Sequence, residues 1–250
     1  MTEEQKRKMI RNYFRPSPQW PIWLIVLGVI VLIIGLAIGK STAVALVFVG
    51  LVMAGLGILG IVTSSKGKAT DQQMDEWLQS DRKEVEKLAL NRLGTVEGQL
   101  IKEPLTIYEP IFWNTPGLHP DEVKMKQGKD GLLRFSAWSF TVLHLTDKFM
   151  GSFQTTLNFL NGRTAGNEHT EEFFYRDITK VGTAKETLLL ADGSKFTDAE
   201  KFSVKVSSGD SIDVVDPTLR WESMGKKTVP TTSLEQTVQA IRTVLRDKKS

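Results

Sequence analysis

Two apolar runs near the N-terminus constrain the fold of this chain more than any other feature. Residues 21–39, PIWLIVLGVIVLIIGLAIG, and residues 42–63, TAVALVFVGLVMAGLGILGIVT, contain no charged side chain. A helix of about 20 apolar residues crosses the ~30 Å hydrocarbon layer of a bilayer. A signal peptide would be shorter and would end in a small-residue cleavage site. The runs therefore predict a transmembrane helical hairpin at 21–63, with a pair of buried core helices as the alternative.

The junction of the two runs, GLAIGKST at residues 35–42, ends like a nucleotide-binding phosphate loop. Such a loop has four residues between its glycines, follows a short strand and opens a soluble helix. Here three residues separate Gly35 from Gly39, and both flanking segments are apolar runs of membrane length. The sequence therefore excludes a nucleotide site, and Lys40 and Ser41 are interpreted as the polar tip of the hairpin.

Basic residues are concentrated at the N-terminal end. Residues 1–70 contain eight Lys or Arg against two Asp or Glu, whereas residues 71–250 contain 24 against 27. Cytoplasmic loops are enriched in Lys and Arg, so the cations on both sides of the hairpin predict that both termini are cytoplasmic. A nucleic-acid-binding protein would have its basic excess on the folded part, so nucleic acid is not an expected partner. The expected location is the cell (inner) membrane, with two spans in contact with the lipid bilayer.

Residues 1–20 are predicted to form a basic cytoplasmic segment. Cations and tryptophans near the start of an apolar run mark a membrane–water interface. The five cations of Lys6–Arg15 could in addition bind anionic lipid, although setting the topology is a sufficient role for them. The predicted interface residues are Arg11, Arg15, Trp20 and Trp23.

Small residues recur within both apolar runs at spacings that permit close helix packing. Gly35-xxx-Gly39 and Gly50-xxx-Ala54 are small-xxx-small patterns, which let helix backbones approach each other. They could pack the hairpin on itself or dock another membrane protein subunit. The predicted helix-packing residues are Gly35, Gly39, Gly50, Ala54 and Gly57. Neither run contains Asp, Glu, Arg or His, so an ion pathway within this chain alone is not expected.

Residues 70–93 are predicted to form an amphipathic linking helix. Thr70 with Gln73 has the pattern of a capping box, and Gly94 supplies a C-terminal stop. Apolar residues recur at helical spacing along one face of this segment. The opposite face mixes acidic and basic residues, so we expect the helix to pack on the following domain or on a partner rather than lie on a membrane.

After Gly94 the sequence changes from helical periodicity to alternation, which predicts a β domain at 95–250. The predicted strands are 96–101, 105–112, 122–126, 132–145, 149–159, 172–181, 187–190, 202–206 and 212–215, divided by turn signals such as QGKDG and NGRTAGN. Alternation along 153–159 favours antiparallel strands with one solvated face. An apolar stripe near the C-terminus predicts a final helix at 231–248. This order of elements favours a curved β-sheet or small barrel whose open end is covered by a helix.

Three stretches resemble bacterial pleckstrin-homology-like (PH-like) and GRAM-like domains. TVLHLTDKFMGSF at 141–153 and EEFFYRDITKVGT at 171–183 are similar to strand signatures of those families, and TLLLADGSKF is similar to their following hairpin. The resemblance covers residues 121–248 and implies a docking module without chemistry of its own. Phe149 stands where those families have an arginine, which argues against inositol-phosphate binding.

The fold class predicted from these features is a membrane-anchored α+β protein. It comprises a transmembrane helical hairpin, a linking amphipathic helix, and a cytoplasmic antiparallel β-sheet or barrel of PH-like type with a C-terminal helix.

Catalytic and metal-binding patterns are weak. The chain contains no cysteine. His144 is interpreted as a structural residue of a strand, His119 lies in a proline-rich loop, and His169 lies in an acidic turn. A metal site needs ligands that converge from fixed elements, so no cofactor, metal or catalytic residue is predicted and the protein is expected not to be an enzyme. A lipid-acting enzyme that uses His144 or His169 is a third-ranked hypothesis.

The loop LTIYEPIFWNTPGLHPDEV at 105–123 holds aromatic residues between prolines. Aromatic side chains of this kind often anchor interfaces, so Tyr108, Phe112 and Trp113 are possible partner contacts. The alternative is a lid folded onto the β domain.

These features lead to two hypotheses for function. The first is a non-catalytic, membrane-anchored accessory or scaffolding subunit that docks other membrane protein subunits through its glycine-rich helices and its PH-like domain. The alternative is a lipid- or ligand-sensing module at the membrane surface, to which the basic N-terminal segment would contribute.

Overall fold

The computed structural model describes residues 1–38, 42–113, 115–164, 166–189, 195–216 and 234–249. The chain divides into two compact units. One unit, called here the folded unit, consists of Met1–Ile10 together with Thr70–Ser250. The other, called here the apolar unit, is Arg11–Ala69. Along the chain, the apolar unit therefore lies between two segments of the folded unit.

The described residues form five α-helices and ten β-strands. The helices are α1 (Glu3–Phe14), α2 (Trp20–Ile38), α3 (Thr42–Ser65), α4 (Asp71–Leu93) and α5 (Leu234–Lys249). The strands are β1 (Leu105–Pro110), β2 (Met125–Gln127), β3 (Leu133–Phe135), β4 (Ala137–Leu145), β5 (Phe149–Asn158), β6 (Arg163–Thr164), β7 (His169–Phe174), β8 (Ile178–Leu189), β9 (Lys195–Val206) and β10 (Ser211–Asp216).

The apolar unit contains the two helices predicted from the apolar runs. Both α2 and α3 are long and apolar enough to cross a membrane. In each of the two candidate spans, 17% of the residues are buried. Helices in the core of a soluble protein would be mostly buried, so the low fraction argues against that alternative. The predicted hairpin tip, Lys40 and Ser41, lies outside the described residues.

The folded unit contains an antiparallel sheet, as predicted. The first sheet has the order β1-β4-β5-β6, and β7 also pairs with β5. A second sheet has the order β10-β9-β8, and β2 and β3 form a separate hairpin. Each described strand pair is antiparallel.

Helix α4 covers one face of the first sheet. Near the C-terminal end of α4, the Leu93 side chain packs close to Gly151 of β5. A Cβ placed on Gly151 would lie 3.3 Å from it. In the middle of α4, the Glu86 carboxylate accepts a hydrogen bond from the Thr106 hydroxyl at 2.7 Å. The Arg82 guanidinium lies over the Tyr108 ring, 5.2 Å from its centroid. The helix thus packs on the domain that follows it, which is one of the two arrangements expected from its sequence, and it belongs to the folded unit.

The other face of the first sheet packs on the second sheet and on α5. Their shared core includes Ile107, Leu143, Met150, Phe173, Phe202, Val204, Ile212, Val238 and Ile241. Because both faces are covered, the prediction of one solvated face along β5 is wrong. Thr156 and Asn158, on the face expected to be solvated, are buried.

Several predicted boundaries differ from the observed ones. The strand predicted at 96–101 is a 3₁₀ turn at Glu97–Gln99 with an isolated bridge at Leu100. The strand predicted at 172–181 is interrupted by a 3₁₀ turn at Tyr175–Asp177, where the chain passes from the first sheet to the second. The buried Tyr175 hydroxyl donates a hydrogen bond to the Thr146 carbonyl at 2.9 Å, which fixes this corner. The segment predicted as a strand at 187–190 belongs to β8 as far as Leu189.

Both predicted boundary signals of α4 are confirmed. The Thr70 hydroxyl accepts from the Gln73 amide at 3.2 Å, and the Gln73 side chain accepts from the Thr70 amide at 3.0 Å. These reciprocal bonds satisfy two backbone donors that a helix N-terminus otherwise leaves unpaired. Gly94 ends the helix in the left-handed conformation, with φ of 60°, which glycine adopts at no steric cost.

Helix α1 was not predicted. It begins with the same reciprocal capping bonds, since the Thr2 hydroxyl accepts from the Gln5 amide and the Gln5 side chain accepts from the Thr2 amide. Glu3 and Glu4 add negative charge at the positive end of the helix dipole. The N-terminal TEEQ, which supplies both the capping pair and the acidic first turn, is therefore the local sequence signal for α1.

Candidate functional site

The interface between α2 and α3 is built from glycines that bring the two backbones into contact. A Cβ placed on Gly28 would lie 2.7 Å from the Gly50 carbonyl oxygen and 2.8 Å from the Ala54 amide nitrogen. A Cβ on Gly50 would in turn lie 2.7 Å from the Gly28 carbonyl oxygen. Real Cβ atoms do not approach backbone so closely, so each position admits hydrogen alone.

The remaining glycines show how far this interface extends. Gly35 lies against Leu46 and Val47, and Gly57 lies against Pro21 and Ile25. Gly60 lies against the Trp20 ring and Pro21. The helix-packing residues Gly35, Gly50, Ala54 and Gly57 thus all lie in or beside the contact between α2 and α3, whereas Gly39 is outside the described residues.

Gly55 is the exception among the glycines of α3. A Cβ on Gly55 would meet no described atom within 4 Å. Its neighbours at i±4 are Leu51 and Leu59, so it does not belong to a small-xxx-small pattern. Gly57 and Gly60 therefore take part in the contact between α2 and α3, whereas Gly55 does not.

A seven-residue spacing, rather than the predicted four-residue one, describes this interface best. Pro21, Gly28 and Gly35 are each seven residues apart on α2, and Gly50 and Gly57 are seven apart on α3. Residues at this spacing lie on one face of a helix that packs at a shallow angle. Gly28 was missed because the four-residue motif was sought, and this heptad spacing is the signal that identifies it.

The segments before α2 and after α3 are hydrogen-bonded to each other within the apolar unit. The Asn12 side-chain amide donates to the Gly67 carbonyl at 3.0 Å. The Lys68 ammonium donates to the Ser17 hydroxyl at 3.1 Å. The predicted interface residues lie in or near these segments and are exposed: Arg11, Arg15, Trp20 and Trp23. Their membrane role stays a prediction.

A buried cluster of charges attaches the start of α1 to α4 within the folded unit. The Lys6 ammonium lies 2.5 Å from one Asp81 carboxylate oxygen, and the Arg7 guanidinium lies 2.6 Å from the other. All three side chains are less than 10% exposed. Glu3, which is more exposed, pairs with Arg7 at 2.5 Å. Two cations that were expected to face lipid or solvent are therefore buried and share the carboxylate of Asp81.

Arg7 also contacts the loop that follows β5. Its guanidinium donates to the Phe159 carbonyl at 3.1 Å and lies 5.6 Å from the centroid of the Phe159 ring. A Cβ on Gly162 would lie 2.5 Å from Arg7 Nε, so glycine leaves room for the guanidinium. Beside the cluster is a cleft of about 420 Å³, which Glu3, Ser80 and Glu84 also line.

The aromatic residues predicted in the proline-bounded loop lie on two different elements: Tyr108 is on β1, whereas Phe112 follows β1 and packs against β3. Phe112 is buried and contacts the rings of Trp113 and Phe135. Tyr108 is half-buried and stacks on Phe140 at 6.0 Å. Of the two interpretations of this loop, the lid is the correct one for Phe112, and Tyr108 and Trp113 are at most partly accessible to a partner.

A small apolar cavity of about 150 Å³ lies between α4 and the first sheet. Its walls are mainly apolar and aromatic, and its lining residues include Met74, Leu78, Tyr108, Leu133, Trp138 and Phe159. Arg134, which also lines the cavity, pairs with Asp75 and Asp130 at 2.7 Å. The hydrogen bonds from Arg134 lower the pKa of Asp130 to about 2. This ion cluster fastens the β2–β3 hairpin to α4.

The three histidines are separated in the structure. His144 is fully buried on β4, where its Nδ1 lies 2.8 Å from the Thr95 hydroxyl. Its Nε2 has no hydrogen-bond partner among the described residues, and burial lowers the pKa of the ring. His119 and His169 are exposed. His144 is thus held as a neutral ring inside the fold, in agreement with the predicted structural role.

The acidic turn around His169 does not form a metal centre in the described part of the chain. No group of three or more His, Asp or Glu side chains there could hold a metal ion. Burial, followed by the charge of Asp210, raises the pKa of Glu171. Glu171 and Glu172 are adjacent on β7 and point to opposite faces, which keeps their carboxylates apart.

Comparison with protein-family models, with curated proteins and with solved structures finds no match for this chain. The resemblance to PH-like and GRAM-like domains is neither supported nor contradicted by these comparisons.

Proposed function

We propose that this protein is a membrane-anchored accessory subunit whose folded unit docks other membrane protein subunits. In this proposal α2 and α3 span the cell (inner) membrane, and both termini are cytoplasmic. The folded unit is a PH-like domain that acts by binding rather than by catalysis.

The observation that carries the proposal is the connectivity of the two units. Met1–Ile10 and Thr70–Ser250 belong to one folded unit, and the apolar unit lies between them along the chain. A folded domain with buried charges does not cross a bilayer. Both ends of the helix pair would therefore lie on the side of the folded unit, which agrees with the distribution of cations in the sequence.

The internal use of glycine changes where a partner would bind. Gly28, Gly35, Gly50 and Gly57 are occupied by contacts between α2 and α3. The outward surfaces carry large aliphatic side chains such as Leu36 and Leu56, which suit lipid. The helix pair therefore acts as the anchor, and docking is assigned to the folded unit.

Two observations favour a docking protein over a lipid sensor based on the N-terminal cations. Lys6 and Arg7 are buried and paired with Asp81, so they are not available to lipid headgroups. The two antiparallel sheets followed by α5 agree with the arrangement that the PH-like resemblance implies, and such folds serve as docking modules.

Mild detergent extraction of the full-length protein from native membranes, followed by sizing and crosslinking mass spectrometry, tests the proposal. We expect a fixed stoichiometric complex whose crosslinks to other subunits originate in the folded unit. The Gly55→Leu variant, altered on the outward face of α3, should retain the complex. Recovery of an uncomplexed monomer, or crosslinks confined to α2 and α3, would contradict the proposal.

A further inference from the structure

The apolar cavity between α4 and the first sheet has the size and the walls of a small ligand site. Its volume is about 150 Å³. Four aromatic side chains line it together with Met and Leu side chains, and one carboxylate and one guanidinium stand among them. The aromatic lining residues are Tyr108, Phe135, Trp138 and Phe159. The docking function does not account for this space.

An apolar space of this size is costly inside a folded protein. Protein interiors are packed about as densely as organic crystals and contain few voids larger than a water molecule. Side chains that line a void lose the dispersion contacts that neighbouring atoms would supply. Water does not offset this loss, because a buried water needs roughly two to four polar partners. A molecule that filled the cavity would restore the missing contacts.

The aromatic walls of the cavity are fixed by contacts with one another. The Trp138 indole N–H donates a hydrogen bond to the Phe135 carbonyl at 3.1 Å. The rings of these two residues meet edge to face with their centroids 6.0 Å apart, and the Tyr108 ring lies 5.9 Å from that of Trp138. Phe135 and Trp138 are buried. Walls held in this way resist collapse, so the space is formed before any ligand arrives.

The β2–β3 hairpin contributes one wall, and polar contacts fasten this hairpin to α4, which contributes another. The Arg134 guanidinium of β3 lies 2.7 Å from Asp75 of α4 and 2.7 Å from Asp130 of the hairpin turn. The Lys129 amide of the same turn donates to the Asp71 carboxylate at 2.7 Å. These contacts fix the separation of the two walls, which is a second reason why the cavity does not close.

The charges at the cavity already balance one another. The Arg134 side chain is only 5% exposed, and Asp75 and Asp130 share its guanidinium. An anionic ligand would have to compete with these two carboxylates, and a cationic ligand would meet the buried guanidinium. Placing an unpaired charge among apolar walls is costly. The cavity therefore favours a neutral ligand.

We propose that this cavity binds a small neutral molecule with a single aromatic ring. In an engineered protein, an apolar cavity of about the same volume stays dry and binds benzene. Aromatic walls favour an aromatic ligand over an aliphatic one, because rings gain from edge-to-face and offset-stacked contacts. A polar substituent on the ring would lie at the rim, where the exposed lining residues Asp75 and Gln79 mark the solvent side. The inference goes beyond the docking function and does not depend on it.

Methyl NMR of the full-length protein in detergent micelles, with carbon-labelled methionine methyl groups, tests the proposal. The probe is p-cresol, a neutral single ring. Met74 lines the cavity and is 2% exposed, so the ring current of a bound probe should shift its methyl signal. We expect this shift to saturate with a dissociation constant of roughly 10 µM to 1 mM. Met150, in the core shared with the second sheet, should not shift.

Two further readouts separate binding from partition and fix the ligand class. Met53 lies on α3, so its signal reports p-cresol that enters the micelle, and that shift should rise without saturation. Benzoate has the same ring with a negative charge and should bind at least about tenfold more weakly, because a buried charge is costly. Hexan-1-ol is neutral but has no ring, and we expect it to bind more weakly than p-cresol.

Filling the cavity from either wall should block the probe. Leu78→Trp adds a ring from α4 and Leu132→Trp adds one from the hairpin, and both positions are half-buried lining residues. Each variant is expected to raise the dissociation constant at least about tenfold, since the added side chain takes up the space that the probe needs. Leu88→Trp makes the same change at another half-buried position of α4, outside this cavity, and should alter the constant less than about twofold. The Met150 signal of each variant shows whether the fold is retained.

Several outcomes would overturn the inference. One is a Met74 signal that does not shift saturably up to about 10 mM p-cresol, roughly tenfold above the expected range. Another is equal binding by the Leu78→Trp and Leu132→Trp variants, which would place the probe elsewhere. Equal or tighter binding of benzoate would contradict a neutral ligand, and tighter binding of hexan-1-ol would assign the cavity to an alkyl chain instead.

Discussion

Two helix–helix interfaces in this protein are built in opposite ways: the one between α2 and α3 in the apolar unit, and the one between α1 and α4 in the folded unit. Between α2 and α3 the contact is made by glycines, and the backbones of Gly28 and Gly50 touch without side chains between them. Between α1 and α4 the contact depends on long charged side chains that converge on Asp81. One interface depends on the absence of side chains, and the other on buried charge.

The difference follows from the surroundings of each interface. If α2 and α3 lie in lipid, as proposed, burying more of their apolar side chains against each other gains little, so close van der Waals contact must hold the two helices together. In the folded unit, two cations and a carboxylate are removed from water, which costs nearly as much as their attraction returns. We therefore expect the ion cluster to fix where α1 docks more than to add stability.

The largest effect is expected at Asp81. Asp81→Asn leaves Lys6 and Arg7 with only the exposed Glu3 as a carboxylate partner, and breaking a buried ion pair on one side costs about 3–5 kcal/mol. Hydrogen exchange of the α1 backbone amides would report this loss as opening of the helix. The matched control is Glu84→Gln, which removes an exposed carboxylate from α4, the helix that carries Asp81. It should change the free energy of opening of α1 by less than about 0.5 kcal/mol.

A triple variant separates specificity from stability at the same cluster. Lys6→Met, Arg7→Met and Asp81→Leu together replace the buried charges by apolar groups of similar length, which is often neutral or stabilising. We expect the free energy of opening of α1, measured by hydrogen exchange, to return to within about 1.5 kcal/mol of the wild-type value. A triple variant as poorly protected as Asp81→Asn would show that the charges themselves hold the helix.

The next largest effect is expected at Gly50. Gly50→Val places a Cβ 2.7 Å from the Gly28 carbonyl oxygen, so the two helices must separate. Overpacking of this kind costs about 2–3 kcal/mol, measured as the free energy of unfolding of the helix pair in detergent micelles. Gly55→Val makes the same chemical change on the outward side of α3 and should cost less than about 0.5 kcal/mol. Equal effects of the two variants would rule out the glycine interface.

A smaller effect concerns pH. Burial lowers the pKa of His144 in the folded state below its usual 6.5, so the unfolded chain binds the proton first as the pH falls. Stability is therefore fully present above about pH 6.5 and declines as the pH falls toward the lowered pKa, by at most about 1.4 kcal/mol per pH unit. Chemical unfolding between pH 8 and pH 5 measures the decline.

Two variants decide whether His144 causes this pH dependence. His144→Leu should remove the contribution, whereas His169→Gln, which changes an exposed histidine, should retain it. An unchanged slope in His144→Leu would assign the dependence to other groups.

The elements that sequence predicted well are those with local signals. The lengths of α2 and α3 follow from uninterrupted apolar runs, and the bounds of α4 follow from Thr70, Gln73 and Gly94. Each signal lies within a few residues of the feature that it determines, so no knowledge of the tertiary fold is needed.

Features that depend on distant residues were not predictable in this way. The burial of Lys6 and Arg7 requires Asp81, which lies 74 or more residues away along the chain. The buried Thr156 is hydrogen-bonded through its amide and its hydroxyl to Asn167, eleven residues away, and no local alternation pattern encodes that contact.

The central claim is that one folded unit contains chain from both sides of the helix pair. The chain has no cysteine, so Glu3→Cys and Ser80→Cys give a unique pair of thiols, and both positions line the same cleft. A membrane-impermeant bismaleimide applied to inside-out membrane vesicles, followed by proteolysis between the helices, measures their proximity directly. We expect an intramolecular crosslink that keeps the two fragments joined. Two thiols that each react but never crosslink, or that react from opposite sides of the membrane, would contradict it.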